Sequence, residues 1–422
     1  MELLPDDALL AVLSYVDNCS LLKCRLVCHR WRDLLAHPDA WRRRTIGSRL
    51  LHLSPPCCYK LTLEHWECNG FVAATVACPA TILEIGVNYN PASVALSTLV
   101  IRHQASLGHL RVLSVRFRSL IDLNSDSYPY HLPASLKSLA EQLLNRITCQ
   151  LHIVVDWHWP HTFREYFMEE SSSAIHELHV RLHLPYIYCN DDFRCLSKLV
   201  NLKKFRCAFI DGLEHLIHCR ALRDLDLALL PCPDTILTDF DDFVASAIAS
   251  ARFLLRSLTW LRRLTLRLGC HDNPIEPTRG LVLDLGDSGQ SELTYLEVQI
   301  YGSYQEQIWS EIVFAVPKLH KIEDIVYHGN ISLEDLRDLL LVAPALRSLY
   351  IDVVEDCICC SWAEICSLLG VHPELELSIE HIFYGKCVAQ CSNVCSIKSL
   401  SKVTFRNASS AVSHGHVEIG RT

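Results

Sequence analysis

The 422-residue chain is half apolar, sets 39 Lys and Arg against 48 Asp and Glu for a net charge of −9, and has a mean hydropathy of +0.16. That composition implies a substantial core and excludes general disorder. The acidic balance argues against a bulk binder of nucleic acid or anionic membrane, which would be basic.

The first forty-odd residues differ from the rest. Pro5 suits the first turn of a helix, where a missing N–H costs nothing, and Asp6 and Asp7 place negative charge on the positive end of the helix dipole. Leu9, Leu10, Leu13 and Val16 recur at helical spacing, and Val12 widens the apolar stripe. Asp17, Asn18 and Ser20 interrupt the pattern and can cap a second helix. Leu21, Leu22, Leu26, Val27, Trp31, Leu34 and Leu35 follow at helical spacing, Pro38 marks an end, and Trp41 is a further apolar anchor. Three short helices of this size bury too little surface to stand alone. Either a partner covers them or they cap the domain that follows.

Leu4-Pro5, Leu13, Leu21-Leu22, the run Leu26-Val27-Cys28-His29-Arg30-Trp31-Arg32 and Ala40-Trp41 resemble the F-box motif, with LP at the start, VCxxW in the middle and LW at the end. Ala40 stands where leucine is usual. The resemblance covers about a tenth of the chain. It implies docking to a Skp-family adaptor, and through it to a cullin and a RING protein, by Leu4, Pro5, Leu9, Leu13, Leu21, Leu22, Val27, Trp31 and Trp41.

Arg42 to Arg44 read as a solvated helix end, and Ser54, Pro55 and Pro56 as a boundary. Beyond it an apolar pattern recurs, clearest as Leu222, Leu225, Leu227, Leu229. Further copies start at Leu110, Ile175, Leu202, Leu261, Leu293, Ile322, Leu346 and Leu400, and weaker ones at Leu83, Leu151 and Leu375. About twelve copies at a mean interval of roughly 29 residues fit leucine-rich repeats. Alternation at period two puts the repeated residues on one face of a short strand, and the remainder of each repeat returns as a helix or turn. Asp241 to Leu258 and Ile331 to Leu341 read as return helices, the latter capped by Ser332. Thr278 to Gln290 could add a strand through Leu281, Leu283 and Leu285.

The expected fold is α/β: a three-helix F-box over 1–46, a curved solenoid with a parallel concave sheet over 47–407, and a tail over 408–422 without structure. The array resembles the leucine-rich-repeat class of F-box proteins, in which the concave strand surface recruits the substrate. Residues between the strand leucines would face it: Arg116, Arg118, Arg181, His183, Arg206 and Arg267 early, then Glu297, Gln299, Tyr301, Tyr350, Asp352 and Glu380. Early strands thus read as basic and late ones as acidic, which suggests a bipolar groove or ordinary solvated strand faces.

The 21 cysteines are scattered without a disulfide-framework spacing, and no basic run precedes the first apolar residues as in a signal peptide. The thiols are therefore expected to be reduced and mostly core residues, in a protein of the cytoplasm or nucleus. Cys357, Cys359, Cys360, Cys366, Cys387, Cys391 and Cys395 invite a zinc reading but lack paired CxxC units, so neither metal nor cofactor is expected. Trp157-His158-Trp159-Pro160-His161 is a rim aromatic cluster. No HExxH, Walker loop, GxSxG or GxGxxG pattern occurs, and no catalytic constellation emerges. Two functions follow: a non-catalytic substrate-recognition subunit of a Skp–cullin–F-box ubiquitin ligase, or a repeat scaffold or inhibitor unconnected with ubiquitin.

Overall fold

A computed structural model describes residues 4–47, 56–63, 78–88, 91–118, 139, 149–156, 175–181, 193–208, 212–229, 240–269, 280–285, 291–301, 305–354, 367–382, 400–406 and 417–419. The chain forms two compact units, residues 1–181 and 182–422. Its architecture is mixed α/β: short helices at the N-terminus, then parallel strands joined by helical returns.

The first unit opens with α1 (Asp6–Tyr15), α2 (Asn18–Cys24) and α3 (His29–Leu34), followed by a 3-10 turn at Pro38–Ala40. Pro5 stands one residue before α1, as its N-cap. Asp17 caps α2, its Oδ1 accepting from the amides of Cys19 and Ser20 at 2.9 Å. Leu9, Leu13, Leu21, Leu34, Leu35, Ala40 and Trp41 fill the interior of this small unit. The indole of Trp41 donates to the Leu35 carbonyl at 2.6 Å, which satisfies a polar group that burial would otherwise penalise.

Arg44 corrects the reading of a solvated basic run, for it is 9% exposed. Its Nε donates to the Ala40 carbonyl (2.7 Å), Nη1 to the Val16 carbonyl (2.6 Å) and Asn18 Oδ1 (3.0 Å), and Nη2 to the Leu13 carbonyl (2.5 Å). A planar fork with five donors is the one side chain that can close several helix-end carbonyls at once. The Arg44 carbonyl in turn accepts from the amides of Tyr59 and Lys60. The helical module is thereby fastened to the strands that follow.

Those strands are β1 (Thr45–Gly47), β2 (Cys58–Leu63), β3 (Ala80–Asn88), β4 (Val112–Arg118), β5 (Gln150–Asp156) and β6 (Ile175–Arg181), all parallel neighbours in chain order. β1 and β2 lie ahead of the first repeat that the sequence revealed; the alternation of Leu61 and Leu63 is the signal that marks β2. Leu61, Leu83, Leu113, Leu151 and Ile175 form one buried row through matched register. Helix α4 (Pro91–Ser106) covers β3.

The second unit continues with parallel strands β7 (Lys204–Ala208), β8 (Asp224–Leu229), β9 (Arg263–Gly269), β10 (Tyr295–Tyr301), β11 (Asp324–Ile331), β12 (Ser348–Val354) and β13 (Glu376–Ile382). Return length follows repeat length. Between β7 and β8 there is room only for the 3-10 segment Leu213–His218, whereas the longer β8–β9 interval holds the 18-residue helix α5 (Phe240–Ser257). Ala247, Ile248, Ala251, Leu254 and Leu255 turn into the core from α5. Helices α6 (Gln305–Ala315) and α7 (Leu333–Val342) follow; Trp309 of α6 meets Tyr327 of β11 edge-on at 4.7 Å.

Three expectations need correction. Gly280–Leu285 is a turn and not an extra strand. Its Asp284 is buried and held by Arg252 Nε (2.6 Å) and Arg256 Nη2 (2.6 Å), while Glu311 accepts from the Gly280 amide (2.6 Å), so buried carboxylates hold the segment in place of sheet hydrogen bonds. The copy at Leu400, Val403 and Phe405 is β14 (Leu400–Arg406), antiparallel to β13, so the parallel run stops at β13. Within the tail expected to lack structure, β15 (Val417–Ile419) pairs antiparallel with β14.

Candidate docking surfaces

Two surfaces stand out: the outside of the helical module, and the strand faces opposite the buried rows.

The structure divides the residues anticipated for adaptor contact. Leu9, Leu13, Leu21 and Trp41 are at most 2% exposed and belong to the interior of the module. Leu22 and Trp31 are half-buried. Leu4, Pro5 and Val27 reach solvent. Sequence reasoning left three exposed apolar side chains out of the set: Leu26 (87%), Tyr15 (90%) and Val12 (53%). Val12 lies off the buried stripe of α1, which is the signal that could have found it. Leu26 and Val27 fall in the turn between α2 and α3, where neither helix can bury them. Arg30 of α3 ties that helix to the start of α1, reaching Asp6 Oδ1 with Nε (2.9 Å) and Nη2 (2.6 Å) and the Leu4 carbonyl with Nη2 (2.5 Å). Leu4, Val12, Tyr15, Leu26 and Val27 are the large apolar side chains that the described part of this module exposes.

On the strand faces, burial alternates with period two, and the outward positions are polar. In the first unit Glu84 is the hub. Lys60 Nζ lies at 2.8 Å, Thr62 Oγ1 at 3.3 Å and Arg116 Nη2 at 3.6 Å. Burial opposes ionisation of Glu84, but Lys60 and Arg116 outweigh it and hold the carboxyl below its ordinary range. His152 Nδ1 and Glu177 Oε2 stand 3.5 Å apart.

In the second unit Lys204 pairs with Asp224 at 3.2 Å, and Asp226 takes both Arg206 and Arg267, the latter at 3.0 Å. Burial raises the Asp226 carboxyl above its ordinary value, and the two guanidiniums pull it only part of the way back. Next on the outward face come Tyr295, Glu297, Gln299, His328, Tyr350, Asp352 and Glu380. Glu297 accepts from Tyr295 (2.9 Å), Gln299 (2.7 Å) and Thr265 (3.3 Å). The Tyr295 hydroxyl is pushed up to about 12 by burial and by this carboxylate. His328 lies between Glu297 (3.7 Å) and Asp352 (3.0 Å) and tilts against the Tyr350 ring at 5.4 Å, while the Tyr350 hydroxyl donates to Glu380 at 2.5 Å.

Within the second unit the structure brings Arg206 and Arg267 to Asp226, and Glu297 and Asp352 to His328; within the first, Arg116 pairs with Glu84. Arg181 and Tyr301 end β6 and β10, with side chains outside the described set, and His183 lies outside the described residues, as do the Trp157–His161 and Cys357–Cys395 clusters. The simple basic-to-acidic order needs correction: Arg116, Arg206 and Arg267 all face carboxylates, Glu84 and Asp226, that sequence reasoning passed over. Both acids sit between strand leucines in the same positions as the arginines, so the pattern held them; pairing across strands was what it did not show.

Among the described residues no grouping of His, Cys, Asp and Glu could hold a metal ion, and no helix is long and apolar enough to cross a membrane. Residues 1–47 match the F-box-like family. No curated protein matches the chain. Among solved structures, the chain aligns with a crystal structure of a Bacteroides fragilis protein determined as a structural-genomics target, at 13% identity and a TM-score of 0.33, covering 70% of this chain and 74% of that one. The N-terminal helical module of this chain is F-box-like, and it precedes a parallel-stranded repeat fold.

Proposed function

We propose that the chain is the substrate-recognition subunit of a Skp–cullin–F-box ubiquitin ligase, of the leucine-rich-repeat class. On this reading residues 1–46 dock a Skp-family adaptor, and through it a cullin and a RING protein. Residues 47–407 hold a protein substrate on the strand faces. The chain performs no chemistry; it raises the effective concentration of substrate beside a ubiquitin-charged enzyme.

The observation that carries the proposal is the exposed group Leu26, Val27, Val12 and Tyr15 on a module whose interior is already filled by Leu9, Leu13, Leu21 and Trp41. The buried set explains why the module folds, and leaves the exposed set without a task inside it. Covering Leu26 and Val27 would contribute about 1.5–3 kcal/mol each. Replacing both by aspartate (Leu26→Asp with Val27→Asp) should therefore weaken capture of a Skp-family adaptor by at least about a hundredfold, while stability changes by less than about 1 kcal/mol. Capture by the double variant at wild-type strength would refute the proposal, as would a wild-type chain that ignores Skp-family adaptors.

A further inference from the structure

We propose that Cys58 and Cys78 are an oxidisable thiol pair, which hydrogen peroxide converts to a disulfide across β2 and β3 where the helical module joins the strands. The proposal goes beyond the ligase reading and does not depend on it.

Placement is the first ground. Cys58 opens β2 and stands opposite Ala80 of β3 by register, and Cys78 lies just ahead of Ala80. The Cys58 amide donates to the Pro79 carbonyl at 3.1 Å, so the two segments are already tied at this point. Gln104 of α4 fixes the other side: its Nε2 donates to the Cys78 carbonyl (2.9 Å), and its Oε1 accepts from the Ala80 amide (3.1 Å). Both thiols are free, at 3% and 2% exposure, and the two side chains hydrogen-bond to each other. Forming a disulfide from this arrangement asks the sulfurs to close from contact to a bonding distance of ~2 Å.

The second ground is an asymmetry within the pair. The hydrogen bond from Cys58 holds the Cys78 thiol below its ordinary value and pushes Cys58 above it, while burial opposes the charged form of both. The thiolate is the nucleophile, so Cys78 is the attacking sulfur. Its Sγ bonds to one oxygen of hydrogen peroxide, the O–O bond breaks, and the departing hydroxide takes up a proton as water, leaving Cys78 as a sulfenic acid. The Cys58 sulfur gives up its proton and attacks the Cys78 sulfur. An S–S bond forms, the S–O bond breaks, and the second hydroxide leaves as water with that proton. Two thiols lose two electrons together, and one peroxide is reduced to two waters.

The third ground is what Cys58 stands between. On one side Cys57 Sγ donates to the Pro38 carbonyl at 3.3 Å. On the other, the amides of Tyr59 and Lys60 donate to the Arg44 carbonyl at 3.0 and 3.1 Å. The neighbours of Cys58 thus hold the end of the helical module, and a covalent tie from Cys58 to Cys78 would stiffen that joint.

The test uses the full chain, reduced, freed of reductant and treated with hydrogen peroxide. Remaining thiols are alkylated and disulfide-linked peptides are read by mass spectrometry. A species joining the peptides that hold Cys58 and Cys78 should appear, and dithiothreitol should remove it. It should be lost in Cys58→Ser and in Cys78→Ser, and kept in Cys57→Ser and Cys68→Ser, which remove the neighbouring thiols of the same peptides. In Cys58→Ser the sulfenic acid has no resolving thiol, so dimedone should label Cys78 there. In the linked wild type, amide exchange at Tyr59 and Lys60 should slow at least about tenfold relative to the reduced chain, from the freedom that closing the loop removes. No linkage, linkage that persists in Cys58→Ser or Cys78→Ser, an unlabelled Cys78, or unchanged exchange at Tyr59 and Lys60 in the linked protein would overturn the proposal.

Discussion

Removing the Arg44 guanidinium should loosen the helical module from within. In Arg44→Ala the carbonyls of Leu13, Val16 and Ala40 and the Asn18 side chain all lose their donor together. Hydrogen bonds to a charged group contribute ~1.5–3 kcal/mol each, but these four share one side chain and water can reach some of the vacated acceptors, so the sum is not additive. A loss of about 3–5 kcal/mol is expected, comparable with removing one partner of a buried charged pair. Burial lowers the Arg44 pKa and the charge of Asp17 opposes that fall, yet an arginine remains a cation throughout the working range of pH. Arg44→Lys keeps the charge but cannot reach four acceptors in one plane, so it should recover less than half of the loss. Amide exchange across α1 and α2, compared with β3 and β4 as internal standards, reads the effect directly. Capture of a Skp-family adaptor should fall in parallel in Arg44→Ala, although Arg44 is itself buried. If exchange in α1 stayed within about 1 kcal/mol of wild type, the guanidinium would not hold the module together and its role as a clamp would fail.

Two further outcomes are expected. Ser332→Ala breaks a capping box in which Ser332 Oγ accepts from the Asp335 amide (3.1 Å) and Asp335 Oδ2 accepts from the Ser332 amide (3.0 Å); a cost of about 1 kcal/mol should appear as faster amide exchange in α7, and its absence would mean that packing alone holds this helix. Glu84 lies below its unfolded value when folded, so its stabilisation is fully present above the unfolded carboxylate pKa of about 4.3 and is lost as pH falls through the folded value. Urea unfolding between pH 6 and pH 3 should show the wild type losing more stability than Glu84→Gln, and parallel curves would refute the pairing with Lys60 and Arg116.

Much of the fold was legible because period-two alternation is a local property. Leu225, Leu264, Leu296, Ile325, Leu349 and Leu377 could be placed on buried strand positions, and they form one row by register. Ser332 and the acids after it could be placed at a helix start for the same reason. What was not legible depends on contacts distant in the chain. Arg44 looks like one of three surface arginines until Leu13 and Val16 are seen to fold back over it. The reversal at β14 is not written in the Leu400, Val403, Phe405 spacing, since an outward-inward alternation reads the same for either strand direction.

The helical module shows how one apolar sequence pattern can serve two ends. Leu9, Leu13 and Leu21 recur with the same chemistry as Val12, Leu26 and Val27, and a motif match weights all such positions alike. Geometry separates them. A residue pointing inward answers to packing, and truncating it, as in Leu13→Ala, costs about 2–5 kcal/mol and removes every surface that the module presents. On the proposed reading a residue pointing outward answers to a partner, and Val27, 63% exposed, should change without altering the fold. Loss of adaptor capture in a core variant would therefore say nothing about docking, whereas the same loss in Leu26→Asp with Val27→Asp, at unchanged stability, locates it. The same logic holds on the repeat fold: the buried row specifies the strands, and the outward residues between them are the positions that a substrate would select on the proposed reading.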